Sequence, residues 1–336
     1  MEDFDLDFDL EADSDPQLAS FKEYAVLHPN LKEVSQALMS AIIEPGGFAH
    51  VLVYGPSGVG KTTMIKRLEK RFNSQTNNVS RTPKNKNSVS SQGSLPLLVL
   101  EVRSSDDGIF NRANYYRIAL ETLGEPFYER RLLVDINTEQ TWEKKGRSRS
   151  KNAQFNDSTE LRRAFEDALI KHGVRAVILD EAQHLMKVGN GQSASKLLDQ
   201  LDWIKSITNV TGVLHVLIGT YELLSFQNLN GQAARRGLDL HFKRYQFSVE
   251  QDRRNFQAAL LALLKQVPLN TDIESLMQQW FYFYERSIGC VGVLKDWLIR
   301  ASGACLRRGE DTLTIERIQE YAFNLASVRT YGYRCS

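Results

Sequence analysis

Residues 51–63 read VLVYGPSGVGKTT, and Gly55, Gly60, Lys61 and Thr62 fit the phosphate-loop pattern G-x-x-x-x-G-K-[ST]. Glycines let the backbone turn tightly and aim several N–H groups at one point, a nest for anionic oxygens. The helix predicted to follow adds the positive end of its dipole there. The spacing makes Gly55, Pro56, Ser57, Gly58, Val59, Gly60, Lys61, Thr62 and Thr63 a candidate nucleotide cradle, with ATP as the ligand. In it, Lys61 reaches the β- and γ-phosphates and the Thr62 hydroxyl ligates Mg²⁺.

A second chemical pair, Asp180 and Glu181, ends the apolar run Ala176–Leu179. A carboxylate at the C-terminal tip of a parallel strand lies where ligands of open α/β sheets bind. Asp180 is the candidate to hold Mg²⁺ through water, and Glu181 the base that takes a proton from the attacking water. Thr220 closes another apolar run, where a hydroxyl can orient that water or cap the next turn. Phosphoryl transfer also calls for positive charge at the γ-phosphate. Arg235 and Arg236 supply a pair just before the predicted edge strand Leu240–Phe247. From an edge they would serve the nucleotide of a neighbouring protomer, which makes self-association part of the expected mechanism.

These groups need a scaffold. Short, unalternated apolar runs at 51–54, 95–102, 176–180 and 212–220 are separated by helical patterns. That order predicts an α/β fold, a P-loop NTPase with a parallel sheet covered on both faces. From Val249 the strands stop, and helical patterns at 249–266, 272–286, 291–303 and 313–327 predict a small helical lid. The expected organisation is an acidic tail over 1–20, a core over 21–248 and a lid with C-terminal segment over 249–336. Within the core, the Asn-, Ser- and Lys-rich stretch 73–94 is expected as a mobile inserted loop. Val26 to Pro29, ahead of the phosphate loop, are weak candidates for contacts to the adenine.

Composition narrows the classes. No run of eighteen apolar residues exists, so no membrane span is expected. The acidic N-terminus has no apolar signal region, and a cytoplasmic location is expected. Cys290, Cys305 and Cys335 are widely spaced without C-x-x-C, which argues against a disulfide frame or zinc site. His172, His184, His215 and His241 show no ligand spacing and read as structural. Eight of the 41 acidic groups fall in residues 1–16, which hold none of the 42 basic ones, leaving a body of about +9. Such a body is compatible with nucleic acid.

Taken together and in this order, GPSGVGKTT, AVILDEAQHL, IGTYEL and GQAARRG…FKRYQF resemble an AAA+ ATPase. Asp180 to His184, Gly219 to Tyr221 and the Gln232–Arg236 pattern are similar to the TnsC/TniB family of transposition regulators, over about residues 20–305. That resemblance implies a slow ATPase used as a switch. It implies a hexa- or heptameric ring, or a filament, on duplex DNA that recruits a TnsB-like transposase. It further implies a target selector of the TniQ or TnsD type, in some members within CRISPR-associated transposons. It also suggests that the segment after the second strand meets DNA, which favours Arg103 and Arg112. Arg117, Arg147, Arg149 and Lys151 are further candidates for phosphate contacts. One departure stands out: where many AAA+ lids carry a sensor arginine, this chain has Gly292, and the nearest cation is Lys295. The rival readings are a loader or remodeller of a replication protein, and a nucleotide-gated signalling scaffold with no DNA role.

Overall fold

Four of the five strands form from short runs whose side chains are apolar on both faces, which only a sheet covered on both sides can bury; the fifth, GLDLH, is half-exposed. In a computed structural model of the chain, residues 16–79, 95–103, 108–125, 149–187, 194–229 and 237–323 are described. The strands are β1 (His50–Tyr54), β2 (Leu97–Glu101), β3 (Ala176–Asp180), β4 (Leu214–Gly219) and β5 (Gly237–His241). They form one sheet in the order β2-β3-β4-β1-β5, and the β1/β4, β3/β4 and β2/β3 pairs are parallel. The helices are α1 (Pro16–Glu23), α2 (Pro29–Ile43), α3 (Lys61–Val79), α4 (Arg112–Thr122), α5 (Arg149–Lys171) and α6 (Ala194–Thr211). They continue with α7 (Glu250–Leu264), α8 (Ile273–Gln278), α9 (Trp280–Ser287), α10 (Val291–Arg307) and α11 (Ile315–Glu320). Two 3₁₀ segments, Ala182–Met186 and Tyr221–Leu229, follow β3 and β4.

The chain divides into two compact units. Gln36–Tyr54 and Met64–Leu240 make the sheet unit. Its core packs Leu98, Leu100, Val177, Leu179 and Leu217 of the strands against Tyr116, Phe165 and Ile204 of the helices. Tyr116 takes a hydrogen bond from Trp203 Nε1 at 2.6 Å, which joins α4 to α6. The helical unit comprises the described residues of Met1–Ser35 and His241–Ser336, together with Gly55–Thr63. There Phe256, Leu260, Phe283, Leu294 and Trp297 form a separate core.

Several boundaries differ from the sequence pattern. Helix α1 already covers residues 16–20, because Leu18 and Phe21, one turn apart, are both buried. Residues 1–15 lie outside the described residues. Helix α3 continues to Val79 and so takes up part of the stretch 73–94 expected as loop, while α5 begins at Arg149; residues 80–94 lie outside the described residues. The last strand is Gly237–His241 rather than Leu240–Phe247. Past His241 the backbone bonds elsewhere: Tyr245 N donates to Gly289 O at 3.0 Å and Tyr245 O accepts from the Tyr284 hydroxyl at 3.1 Å.

One buried histidine carries a consequence for stability. His50 and His215 are register partners at the N-terminal ends of β1 and β4, and both are buried. The Thr208 hydroxyl donates to Ala49 O at 3.0 Å, so it can only accept from His215 Nδ1, also 3.0 Å away. The buried His215 Nε2 has no partner among the described residues. Burial holds the ring down to about 4, from an ordinary 6.5. Between those values the unfolded chain binds a proton that the folded chain refuses, so stability is full above about 6.5 and falls as pH drops toward 4. The urea midpoint is expected to fall over that range, and a His215→Asn protein to lose part of the slope. An unchanged slope would remove His215 as its source.

Candidate functional site

The phosphate loop is built from backbone. Gly58 and Gly60 sit at φ +78° and +109°, which side-chain-bearing residues rarely adopt. Gly55 is required for a different reason: a Cβ there would collide with the Phe242 carbonyl. Lys61, the first residue of α3, is buried and folds back over the loop, where Nζ donates to Gly55 O at 3.0 Å and Pro56 O at 2.9 Å. An ammonium held on two neutral carbonyls is poised to exchange them for phosphate oxygens, which bind it more strongly. Ser57 and Thr62 are exposed, Thr63 is half-buried, and Pro56 and Val59 are buried.

The loop also meets the lid. Gly58 O accepts from Gly292 N at 2.8 Å and from Val293 N at 3.2 Å. These donors belong to the first turn of α10, whose N–H groups have no partner within the helix. A Cβ on Gly292 would press on the Gly58 carbonyl, so glycine is what allows this approach. Lys295, the cation nearest the expected sensor position, donates instead to Lys22 O at 2.6 Å, at the end of α1. His28, one of the weak adenine candidates, bonds the Tyr245 hydroxyl at 3.0 Å, and burial lowers it to about 4.

In the sheet unit, Tyr54 pairs with Gly219 and Glu101 with Asp180 across parallel neighbours. Three strands therefore finish at one end of the sheet, where β3 and β4 deliver Asp180 and Thr220. At about 4.8 Å per strand, β1 and β3 stand roughly 10 Å apart there. Asp180 is half-buried, and its Oδ1 accepts from Glu181 N at 3.0 Å. Glu181 adopts φ 53°, ψ 36°, a left-handed conformation that costs a non-glycine residue on the order of 1 kcal/mol. Its carboxylate is gripped by Gln183 Nε2. Thr220 Oγ1 is buried without a partner among the described residues, and Leu223 N bonds the Thr220 carbonyl rather than its hydroxyl. The hydroxyl is thus not spent on a cap. Asp180, at the tip of β3, offers a hard oxygen donor of the kind that suits Mg²⁺, and in the helical unit the exposed Thr62 hydroxyl is a donor of the same kind.

Residues 47–227 match the sequence model of the family described as AAA domain. The chain belongs to that family. Its fold is that of an AAA+ P-loop NTPase with a helical C-terminal region. No curated protein matches this AAA chain in sequence. Similar solved structures include the Aeropyrum pernix ORC2 protein in ADPNP–ADP complexes, with TM-score 0.58 and 15% identity over 94% of this chain and 72% of that one. The Aeropyrum pernix ORC1 protein in complex with DNA has TM-score 0.57 and 16% identity over 91% and 67% of the two chains. At such identities the likeness is one of fold.

The remaining candidates fall in different surroundings. Arg103 is exposed and pairs with Glu101 at 3.1 Å. Arg112 is engaged within its own unit: it stacks over Trp203 at 5.0 Å and bonds Asp199 at 2.8 Å and Gln200 at 3.0 Å. Arg117 is half-buried. Arg147, Arg235 and Arg236 lie outside the described residues, as do the side chains of Arg149 and Lys151. Gly237, which follows the arginine pair, sits against His50 Nε2, at the end of β1 remote from the phosphate loop. Sequence reasoning missed the bonds of Gln183 and the contact of Gly58 to the lid, and at Gly292 it saw only a lost cation.

Two glycines of the AAA lid's α10 should respond with opposite signs. Gly292→Ala forces its methyl onto Gly58 O and is expected to destabilise the helical unit by about 1–3 kcal/mol. Gly303→Ala meets nothing nearer than 3.5 Å and should gain roughly 1 kcal/mol in helix propensity. Urea unfolding of the two proteins measures both, and equal effects would contradict the clasp.

Proposed function

We propose that this AAA chain is a slow ATPase of the TnsC/TniB type, an ATP-gated adaptor that oligomerises on duplex DNA and passes it to a transposase. The observation that carries the ATPase part lies in the sheet unit, where parallel pairing brings Asp180, Glu181 and a Thr220 hydroxyl with no partner among the described residues to one end of the strands; the phosphate-loop pattern itself stands in the sequence. The transposition part rests on the DEAQH, GTY and Q-x-x-R-R runs. An ORC protein of the same fold solved with DNA is compatible with a DNA role.

In this reading the loop N–H groups and Lys61 bind the phosphates, with Lys61 giving up its bonds to Gly55 and Pro56. Thr62, and Asp180 through water, would hold Mg²⁺, which would supply positive charge against the phosphates. Glu181 takes a proton from the attacking water, and the Thr220 hydroxyl orients that water toward the γ-phosphate. Water and ATP give ADP and phosphate. Arg235 and Arg236 act on the nucleotide of the neighbouring protomer. Arg103, exposed at the end of β2, is the better placed of the two preferred DNA contacts, because Arg112 would have to leave Trp203 and Asp199.

A replication-type initiator or loader is the second reading, favoured by the two ORC structures of similar fold. Sedimentation or electron microscopy on duplex DNA tests the adaptor reading, using ATP, ADP and a slowly hydrolysed analogue at two salt concentrations. Assembly is expected only with triphosphate. Lys61→Ala should abolish it, Arg236→Ala should weaken it and Glu181→Gln should trap it. Higher salt should loosen it, since backbone contacts release counterions. Addition of a TnsB-like transposase should then yield a joint complex on DNA. Assembly indifferent to nucleotide or to DNA sinks the adaptor reading, and assembly that ignores the transposase favours the initiator.

A further inference from the structure

Gln183 lies two residues beyond Glu181, inside the 3₁₀ segment Ala182–Met186, and is buried. Its two side-chain atoms have unambiguous partners. Oε1 accepts from Thr220 N at 3.3 Å, and a backbone amide can only donate. The Nε2 end then faces the Glu181 carboxylate, which can only accept. The orientation of the amide is therefore fixed by chemistry at both ends. Space enforces it as well: a Cβ on Gly219 would collide with Gln183 Oε1, so glycine at the end of β4 is what lets the amide reach across.

We infer that Gln183 is a positioning residue for hydrolysis, tying the Glu181 carboxylate to the backbone of Thr220 so that base and hydroxyl are set relative to one another. The inference rests on the ATPase reading above and deepens it. Glu181 needs such a tie. Its left-handed backbone is held by the Asp180 carboxylate on its N–H and by His184 N on its carbonyl at 3.0 Å, but neither fixes the side chain. One bond from Gln183 fixes a carboxylate oxygen and leaves other lone pairs to receive a proton. Gln183 bonds the backbone N–H of Thr220 and leaves its hydroxyl, which has no partner among the described residues, untouched. Two groups that would act on one water molecule, 39 positions apart in the chain, are thereby placed by a single planar amide.

The test uses the full chain with steady-state ATPase kinetics and, separately, binding of a fluorescent ATP analogue. Gln183→Met keeps the length and loses both bonds. Gly219→Ala keeps Gln183 and pushes its Oε1 aside. Each is expected to lower kcat by about ten- to a hundredfold, the scale of a misplaced reacting group. KM and analogue affinity should stay within a few-fold, since neither residue belongs to the phosphate loop. The double variant should be no slower than Gln183→Met alone, because the methyl added at position 219 then has no amide to displace. A double variant slowed by the product of the two single effects overturns the tie, as does a Gln183→Met protein with the parent kcat. Lost analogue binding in Gln183→Met overturns it too, marking a structural residue. A parent protein with no hydrolysis above that of Lys61→Ala defeats the ATPase reading itself, and the positioning role with it.

Discussion

The approach of two stretches of backbone, Gly58 to Gly292, sets the arrangement of the helical unit. A helix begins with N–H groups that have no partner inside it, and burying them without one costs more than a hydrogen bond returns. Here a carbonyl of the phosphate loop receives two of them, from Gly292 and Val293. The bond needs both glycines, since a Cβ on Gly58 would strike Val293 and one on Gly292 would press on Gly58. It leaves no room for an arginine at Gly292, so the missing cation and the close contact are one structural choice. Lys295 does not restore the charge, because it closes α1 against the lid through Lys22 O.

The sheet imposes the complementary constraint. Parallel pairing in register carries β1, β3 and β4 to a common edge, which fixes where Asp180 and Thr220 can stand without any contact between their side chains. Everything finer is local. Glu181 leaves the strand through a strained left-handed step, and the 3₁₀ segment after it returns Gln183 to the strand ends. Strain of this kind persists only where neighbours over-determine it, and here the neighbours are the side chains the chemistry would use.

Sequence was informative wherever a short pattern has a single physical reading. The phosphate loop, the buried strands, the carboxylates at a strand tip and the change to helices after Val249 were all readable, because each depends on residues adjacent in the chain. Other features depend on distant partners. Helix α1 covers Pro16–Glu23 because its Phe21 finds a core made largely of residues beyond 245. The strand expected over 240–247 stops at His241 because Tyr245 pairs with Gly289. Arg112 reads as a surface cation until Trp203 and Asp199 are placed against it. Gln183 looks like one more polar residue in a charged run, and its meaning comes from Thr220, 37 residues later.

The backbone contact to the lid bears on what kind of ATPase this would be. An arginine in the lid reads the charge of the γ-phosphate directly, through strong charge-assisted bonds. A neutral N–H pair resting on Gly58 O cannot do so; it follows only the shape of the loop. Loss of phosphate would reach the lid as a change in the position of one carbonyl, worth about one ordinary hydrogen bond, or 0.5–1.5 kcal/mol. A coupling of that size shifts a two-state equilibrium by roughly 2- to 13-fold, enough to bias assembly and too little to drive a partner uphill on each turnover. Under the function proposed above, a Gly58–Gly292 contact of that size suits a switch better than a motor.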